Sequence, residues 1–201
     1  KNKFLVTYKE SNDYRQYGAD RISKLIREYK KDNFLLNLCE TYLGYKSEAY
    51  FTLSNKVIAN SKVKFGSGGG WHRDNTTVKQ FKSMIYLNDV DNNNGPFQIV
   101  SGTHKKSSLI NSIIFSDIKS KQDRINNESL KKLLSKKYNY KIKTITGSKG
   151  SLLIFNSFAI HRGSKLKNNE RYAITNYYFP NFYINEYKEL LDKKFNLPSV
   201  D

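Results

Sequence analysis

One cysteine (Cys39), one methionine, one tryptophan and three prolines occur in 201 residues. A lone cysteine excludes an internal disulfide framework and a cysteine-built zinc cluster. With 3 Pro and 11 Gly against 38% hydrophobic residues, the collagen-like and disordered classes are excluded too. No apolar run reaches the roughly 18 residues that a membrane span needs, and no signal-peptide pattern opens the chain. Position 1 is Lys rather than Met, which reads as a fragment or a trimmed chain. The expectation is one globular domain of a reducing, cytoplasmic compartment, because this length suffices for one full-sized core and not two.

Charge is abundant and one-sided. The formal net charge is +17, with 28 of the 35 basic residues being Lys. Nucleic-acid readers favour Arg, whose fork grips phosphates and bases bidentately, so a nucleic-acid partner is not expected. Residues 105–150 alone carry twelve basic side chains against three acids. Two readings stand: lysines drifting onto a solvated surface in a chain rich in Asn, Ile and Tyr, or an electrostatic site for an anionic partner.

Periodicity divides the chain. The first sixty residues read mostly as helix, with Asp20 as N-cap ahead of Ile22, Leu25, Ile26 and Tyr29, then Phe34–Leu43 closed by Gly44. Strand texture begins near Tyr50, with segments at Val57–Asn60, Lys62–Phe65, Phe81–Leu87 and Phe97–Val100. Residues 105–143 interrupt it with a short helix, Glu128–Lys137, whose Leu130, Leu133 and Leu134 share a face. Strands return at Lys141–Ile145, Ser151–Ile160 and Tyr172–Phe179, and a helical tail runs from Asn185 to Phe195 with Tyr187, Leu190 and Leu191 on one side. Helices first and then at least six short strands predict a β sandwich or barrel with helices outside it. The run Gly66–Gly70 lacks a Walker lysine and opens no helix, so it reads as a flexible turn.

The chemistry gathers on three histidines. In Gly70-Trp71-His72-Arg73-Asp74, an extended backbone sends His72 and Asp74 to one side. His161, ending the segment Ser151–Ile160, is the natural third ligand. Two imidazoles and a carboxylate on one face suit non-haem Fe(II) in oxygen-activating enzymes, and zinc hydrolases use the same groups. Arg171 opens a strand in which Ala173 and Thr175 share its side, leaving room beside a guanidinium fork suited to a carboxylate. Residues 94–105 form turn, strand and turn, and His104 within them reads as a structural histidine or one standing behind the ligands.

The ordered set Trp71-His72-Arg73-Asp74, Tyr86-Leu87-Asn88-Asp89-Val90-Asp91, Asn93-Asn94-Gly95, Gly102-Thr103-His104-Lys105, Gly150-Ser151-Leu152-Leu153-Ile154-Phe155, His161 and Arg171 resembles the phytanoyl-CoA dioxygenase family of Fe(II)- and 2-oxoglutarate-dependent oxygenases. The likeness covers about residues 57–180. It implies a mainly β fold with a double-stranded β-helix (jelly roll, cupin-like) core; with the periodicity, that core runs from 57 to 180 with a basic insert at 105–143, between helical flanks at 1–56 and 181–201. It also implies Fe(II) on His72, Asp74 and His161, Arg171 on the distal carboxylate of 2-oxoglutarate, and O2 as oxidant. The retained Asp74 implies hydroxylation rather than halogenation.

Two further co-substrate contacts are expected. Members commonly offer a polar side chain from the strand before the His-x-Asp turn, where Asn60, Lys62 and Lys64 share a face and Lys62 is taken first. Ser164, in Arg162-Gly163-Ser164 after the distal histidine, is the other. A cupin-type metal hydrolase or isomerase and a non-catalytic basic binding module are the competing readings. The basic insert is expected to be a partly mobile lid that draws an anionic small-molecule substrate through Lys131, Lys132, Lys136 and Lys137.

Overall fold

Side chains alternating at period two along the strands build the site's walls. The computed structural model describes residues 5–74, 80–119, 122–135 and 139–198. In chain order the elements are β1 (Leu5–Tyr8), β2 (Asp13–Tyr17), α1 (Ala19–Ile22), α2 (Lys24–Lys30), α3 (Asn33–Leu43), β3 (Ser47–Ile58), β4 (Phe81–Tyr86), β5 (Phe97–Val100), α4 (Lys106–Ser116), α5 (Asn127–Leu134), β6 (Ile142–Ile145), β7 (Leu152–Asn156), β8 (His161–Gly163), β9 (Glu170–Pro180) and α6 (Asn181–Phe195). Six strands pair in the order β1-β2-β3-β9-β4-β7, and three in the order β6-β5-β8. Every pairing among them is antiparallel. The two sheets form a jelly roll, as the resemblance implied.

The N-terminal third departs from the helical expectation. β2 and β3 belong to the larger sheet, and β3 runs twelve residues beside β9, with a bulge between Ala49 and Phe51. Leu53, Asn55 and Val57 alternate along β3, a two-residue period that the surrounding polar residues obscure in the sequence. Asp20 is not an N-cap. Gly18 precedes α1, while Asp20 is buried, bridged to Lys30 at 2.7 Å and accepting the Thr52 amide at 2.7 Å. Ser23 caps α2 instead, and Ile22 and Leu25 lie exposed.

α3 follows its sequence pattern. Asp32 accepts the Leu35 amide at 2.9 Å, and Gly44 ends the helix at φ 79°, a left-handed geometry that glycine adopts without a Cβ penalty. Leu35, Cys39 and Leu43 fall four residues apart and pack on Ala49, Phe81 and Tyr178, covering the outer face of the larger sheet. Truncating a leucine there should cost about 2–5 kcal/mol. Burial pushes the Cys39 thiol up to about 12, so it is an unreactive packing group.

The insert is anchored, contrary to a mobile lid. Ile118, Ile125, Leu130 and Leu133 are buried against Trp71, Val100 and Ile160, so its apolar face belongs to the core over the smaller sheet. α5 ends at Leu134; Lys136 and Lys137 lie outside the described residues. The tail helix α6 starts earlier than expected, bends at Tyr187, and buries Ile184 and Leu191 while Leu190 stays exposed. Among the described residues no helix is long and apolar enough to cross a membrane.

Candidate metal centre

Register places the inward side chains in rows across the larger sheet. Arg15 faces Asn55, Tyr17 faces Leu53, Leu53 faces Thr175, Thr175 faces Met84, and Lys82 lies between Tyr177 and Phe155. These rows and the facing sheet enclose a cavity of about 320 Å³, with His72, Asp74, His161 and Arg171 in its wall.

Two chain crossings bring the histidines together. His72 bridges to His161 through paired backbone bonds, with His72 N to His161 O at 3.0 Å and the reverse at 2.9 Å. The loop before it turns through Gly68, Gly69 and Gly70, all at positive φ, and a Cβ on Gly68 would lie 2.6 Å from the His72 ring. That run is therefore a shaped turn. Thr103 sets the other side, donating to the Val100 carbonyl at 2.7 Å and accepting the Ile160 amide at 2.9 Å, one residue before His161.

One potential ligand atom from each of His72, Asp74 and His161 falls within 4.8 Å of the others. The His72 Nε2 is 3.9 Å from Asp74 Oδ1, and the His161 Nε2 is 4.0 Å from Asp74 Oδ2. Each Nδ1 sits on a backbone carbonyl, Gly70 at 2.9 Å and Ala159 at 2.7 Å. A carbonyl only accepts, so both Nδ1 atoms carry the proton and both Nε2 lone pairs face the carboxylate. That tautomer is the one a metal requires.

Electrostatics favours the same state. Burial, then the neighbouring His161, pushes His72 down to about 3, and burial likewise lowers His161. Burial alone would raise the Asp74 carboxyl, but the Lys82 ammonium beside it holds it below the usual carboxylate range. Two neutral imidazoles and an ionised carboxylate can hold a divalent cation.

Arg171 is buried in the same wall. Its Nη1 donates to the Gly95 carbonyl, while Nε is buried without a partner. An orphaned guanidinium N–H beside a cavity is the fit expected for a carboxylate that arrives with a ligand. Gly163 keeps that space open, since a Cβ there would sit 3.2 Å from the Arg171 Nη1.

Lys62 and Ser164 fall elsewhere. The strand before the His-x-Asp turn ends at Ile58, so Lys62 lies in an exposed turn with its amide on Asn60 Oδ1. The wall position on that strand belongs to Asn55, which donates to Asp13 Oδ1 at 3.2 Å. Ser164 points away from the cavity, because alternation along β8 turns His161 and Gly163 inward; its hydroxyl donates to the Pro96 carbonyl at 3.0 Å. His104 is exposed and apart from the three gathered groups.

Lys82 is the wall residue that sequence reasoning missed. Its Nζ lies 2.5 Å from Asp74 Oδ2 and 3.7 Å from the centre of the Tyr177 ring. A lysine at an alternate position of the apolar strand Phe81–Tyr86 was the available signal.

The family described as phytanoyl-CoA dioxygenase (PhyH) matches residues 4–171. Among solved structures, iron-bound EctD from S. alaskensis is 16% identical with a TM-score of 0.66, over 90% of this chain and 62% of that one. HygX from Streptomyces hygroscopicus, with nickel and 2-oxoglutarate bound, is 16% identical with a TM-score of 0.60, over 89% and 74%. The α-ketoglutarate-dependent epimerase SnoN from nogalamycin biosynthesis is 13% identical with a TM-score of 0.59, over 88% and 66%. At such identities these likenesses establish the fold, and the chain spans less than two thirds of the EctD length. No curated protein matches the sequence.

Proposed function

The chain belongs to the phytanoyl-CoA dioxygenase (PhyH) family, and we propose that it is an Fe(II)- and 2-oxoglutarate-dependent dioxygenase that hydroxylates a small anionic molecule. The observation that carries the reading is the convergence of His72, Asp74 and His161, with both Nε2 atoms free, beside the partnerless Nε of Arg171. His72, Asp74 and His161 would hold the iron, and Arg171 the distal carboxylate of 2-oxoglutarate. When bound, iron with 2-oxoglutarate and O2 supplies the oxidising power to hydroxylate an unactivated C–H bond, releasing succinate and CO2.

The chain's own residues supply placement and exclusion. Phe97, Phe155, Met84 and Tyr177 line the cavity with apolar surface that keeps water from the reacting groups. The two Nδ1–H bonds fix both imidazoles, so neither can turn its lone pair away.

Charge supports an anionic substrate. A second, larger groove of about 1000 Å³ shares Arg15, Gly68 and Arg124 with the cavity. Its described lining includes Lys9, Arg15, Lys64, Arg124 and Arg162 against one carboxylate, Glu10. Lys131 and Lys132 line neither space, and Lys132 is paired with Asp117 at 2.7 Å. The insert meets the site through Arg124, whose guanidinium donates to the Gly68 carbonyl.

The deciding experiment measures succinate formed from 2-oxoglutarate, with Fe(II) added anaerobically before O2, across matched anionic and neutral small molecules. Substrate-stimulated succinate with an oxygenated anionic product is the expected result. Absence of 2-oxoglutarate turnover in iron-loaded protein would remove the reading.

A further inference from the structure

Lys82 is placed where a metal ion's charge would act. The Nζ is buried, it lies 2.5 Å from Asp74 Oδ2, and the carboxylate's two oxygens face the Nε2 atoms of His72 and His161 at 3.9 and 4.0 Å. Its stem is held between Phe155 and Tyr177 by the register of β4 with β7 and β9. An ammonium this close neutralises Asp74, and a divalent cation arriving on the same carboxylate meets a like charge a few ångströms away in a poorly screened interior.

Resting on the reading of this cluster as a metal site, we infer that Lys82 is the resident counter-cation of Asp74 in the metal-free protein and that metal binding displaces it. The ammonium keeps the buried carboxylate compensated while the site waits, and it lowers metal affinity. The cavity that Lys82 itself lines gives the displaced Nζ somewhere to turn.

The alternative role for the same contact has the opposite sign. A lysine that merely orients a ligand carboxylate strengthens metal binding, and removing such a partner weakens it by about 10- to 100-fold. A displaced counter-cation weakens binding. A cation beside a carboxylate is worth about 1–3 log units of proton affinity, and a metal that must displace it loses affinity on that scale.

The test is Co(II) binding to metal-free full chain, followed by its visible absorbance and by competition with a chelator. Wild type is compared with Lys82→Met, which keeps the apolar stem, Lys82→Gln, which keeps a donor without charge, Lys82→Arg, which keeps charge, and Asp74→Ala. Tighter binding in Lys82→Met and Lys82→Gln, by about 10- to 1,000-fold, with no gain in Lys82→Arg, is the expected result. The Co(II)-induced rise in Tm should also be larger in Lys82→Met than in wild type. Equal or weaker binding in both neutral variants, each still melting cooperatively, overturns the displacement. Wild type that binds no Co(II), or binds it undiminished in Asp74→Ala, overturns the metal site itself and this inference with it.

Discussion

Replacing Arg171 by Lys isolates the fork from the charge. The guanidinium is buried, commits Nη1 to the Gly95 carbonyl and leaves Nε unpartnered beside the cavity. A lysine at that position keeps one positive charge, but it cannot hold Gly95 and present two parallel donors to one carboxylate. The variant should therefore lose one charge-assisted hydrogen bond to 2-oxoglutarate, worth about 1.5–3 kcal/mol, or about 10- to 150-fold in KM. Fold stability should change little, because a buried cation remains. Succinate formation against 2-oxoglutarate concentration, at saturating primary substrate, measures the effect. KM should rise while kcat falls less, since the lost contact holds the ground state and the transition state alike. A KM within twofold of wild type would show that another cation receives the carboxylate.

Asp74→Ala should abolish metal binding and turnover, whereas His104→Ala should leave both at wild-type levels because that ring is exposed and apart from the cluster; equilibrium dialysis with Co(II) reads the pair. The metal-free protein should lose stability as pH falls from about 6.5 toward 3: the unfolded state takes up protons that buried, neutral His72 and His161 refuse. The slope approaches about 1.4 kcal/mol per pH unit for each imidazole, and urea unfolding that is flat over that window would contradict it. Arg124→Gln should lower kcat/KM for an anionic substrate severalfold and flatten its salt dependence, while Lys131→Gln with Lys132→Gln should leave both unchanged. The reverse outcome would return the charge preference to the helix surface.

The cluster was legible in the sequence because its signals are local or categorical. His72 and Asp74 are two residues apart on extended chain, and with three histidines in all the choice of His161 was short. β5 matches its expected span of Phe97–Val100, and α3 ends at Gly44 as expected. β3 is hard to read from sequence because its stretch Ala49–Leu53 is buried on both faces, so the polar alternation that marks a half-exposed strand begins only beyond it. The strand expected at Lys62–Phe65 is absent; the chain there turns at the surface, which leaves Lys62 outside the wall. Lys82 was overlooked because a lysine on a strand is ordinarily read as solvent-facing. Nothing in the local pattern reveals that Asp74, eight residues away, is its partner across the barrel.

The barrel interior therefore carries its charges in three different conditions. Arg15 is fixed to Asp13 at 2.8 Å; burial would lower its pKa, and Asp13 outweighs that, so this pair is spent within the fold. Arg171 makes no ion pair among the described residues and keeps Nε without a partner. Lys82 is paired with Asp74 at 2.5 Å, a partner it loses on metal binding under the displacement inferred above. Arg73, on the same cavity wall, also keeps Nε and Nη1 without partners, so two guanidinium groups already present unpaired N–H donors there.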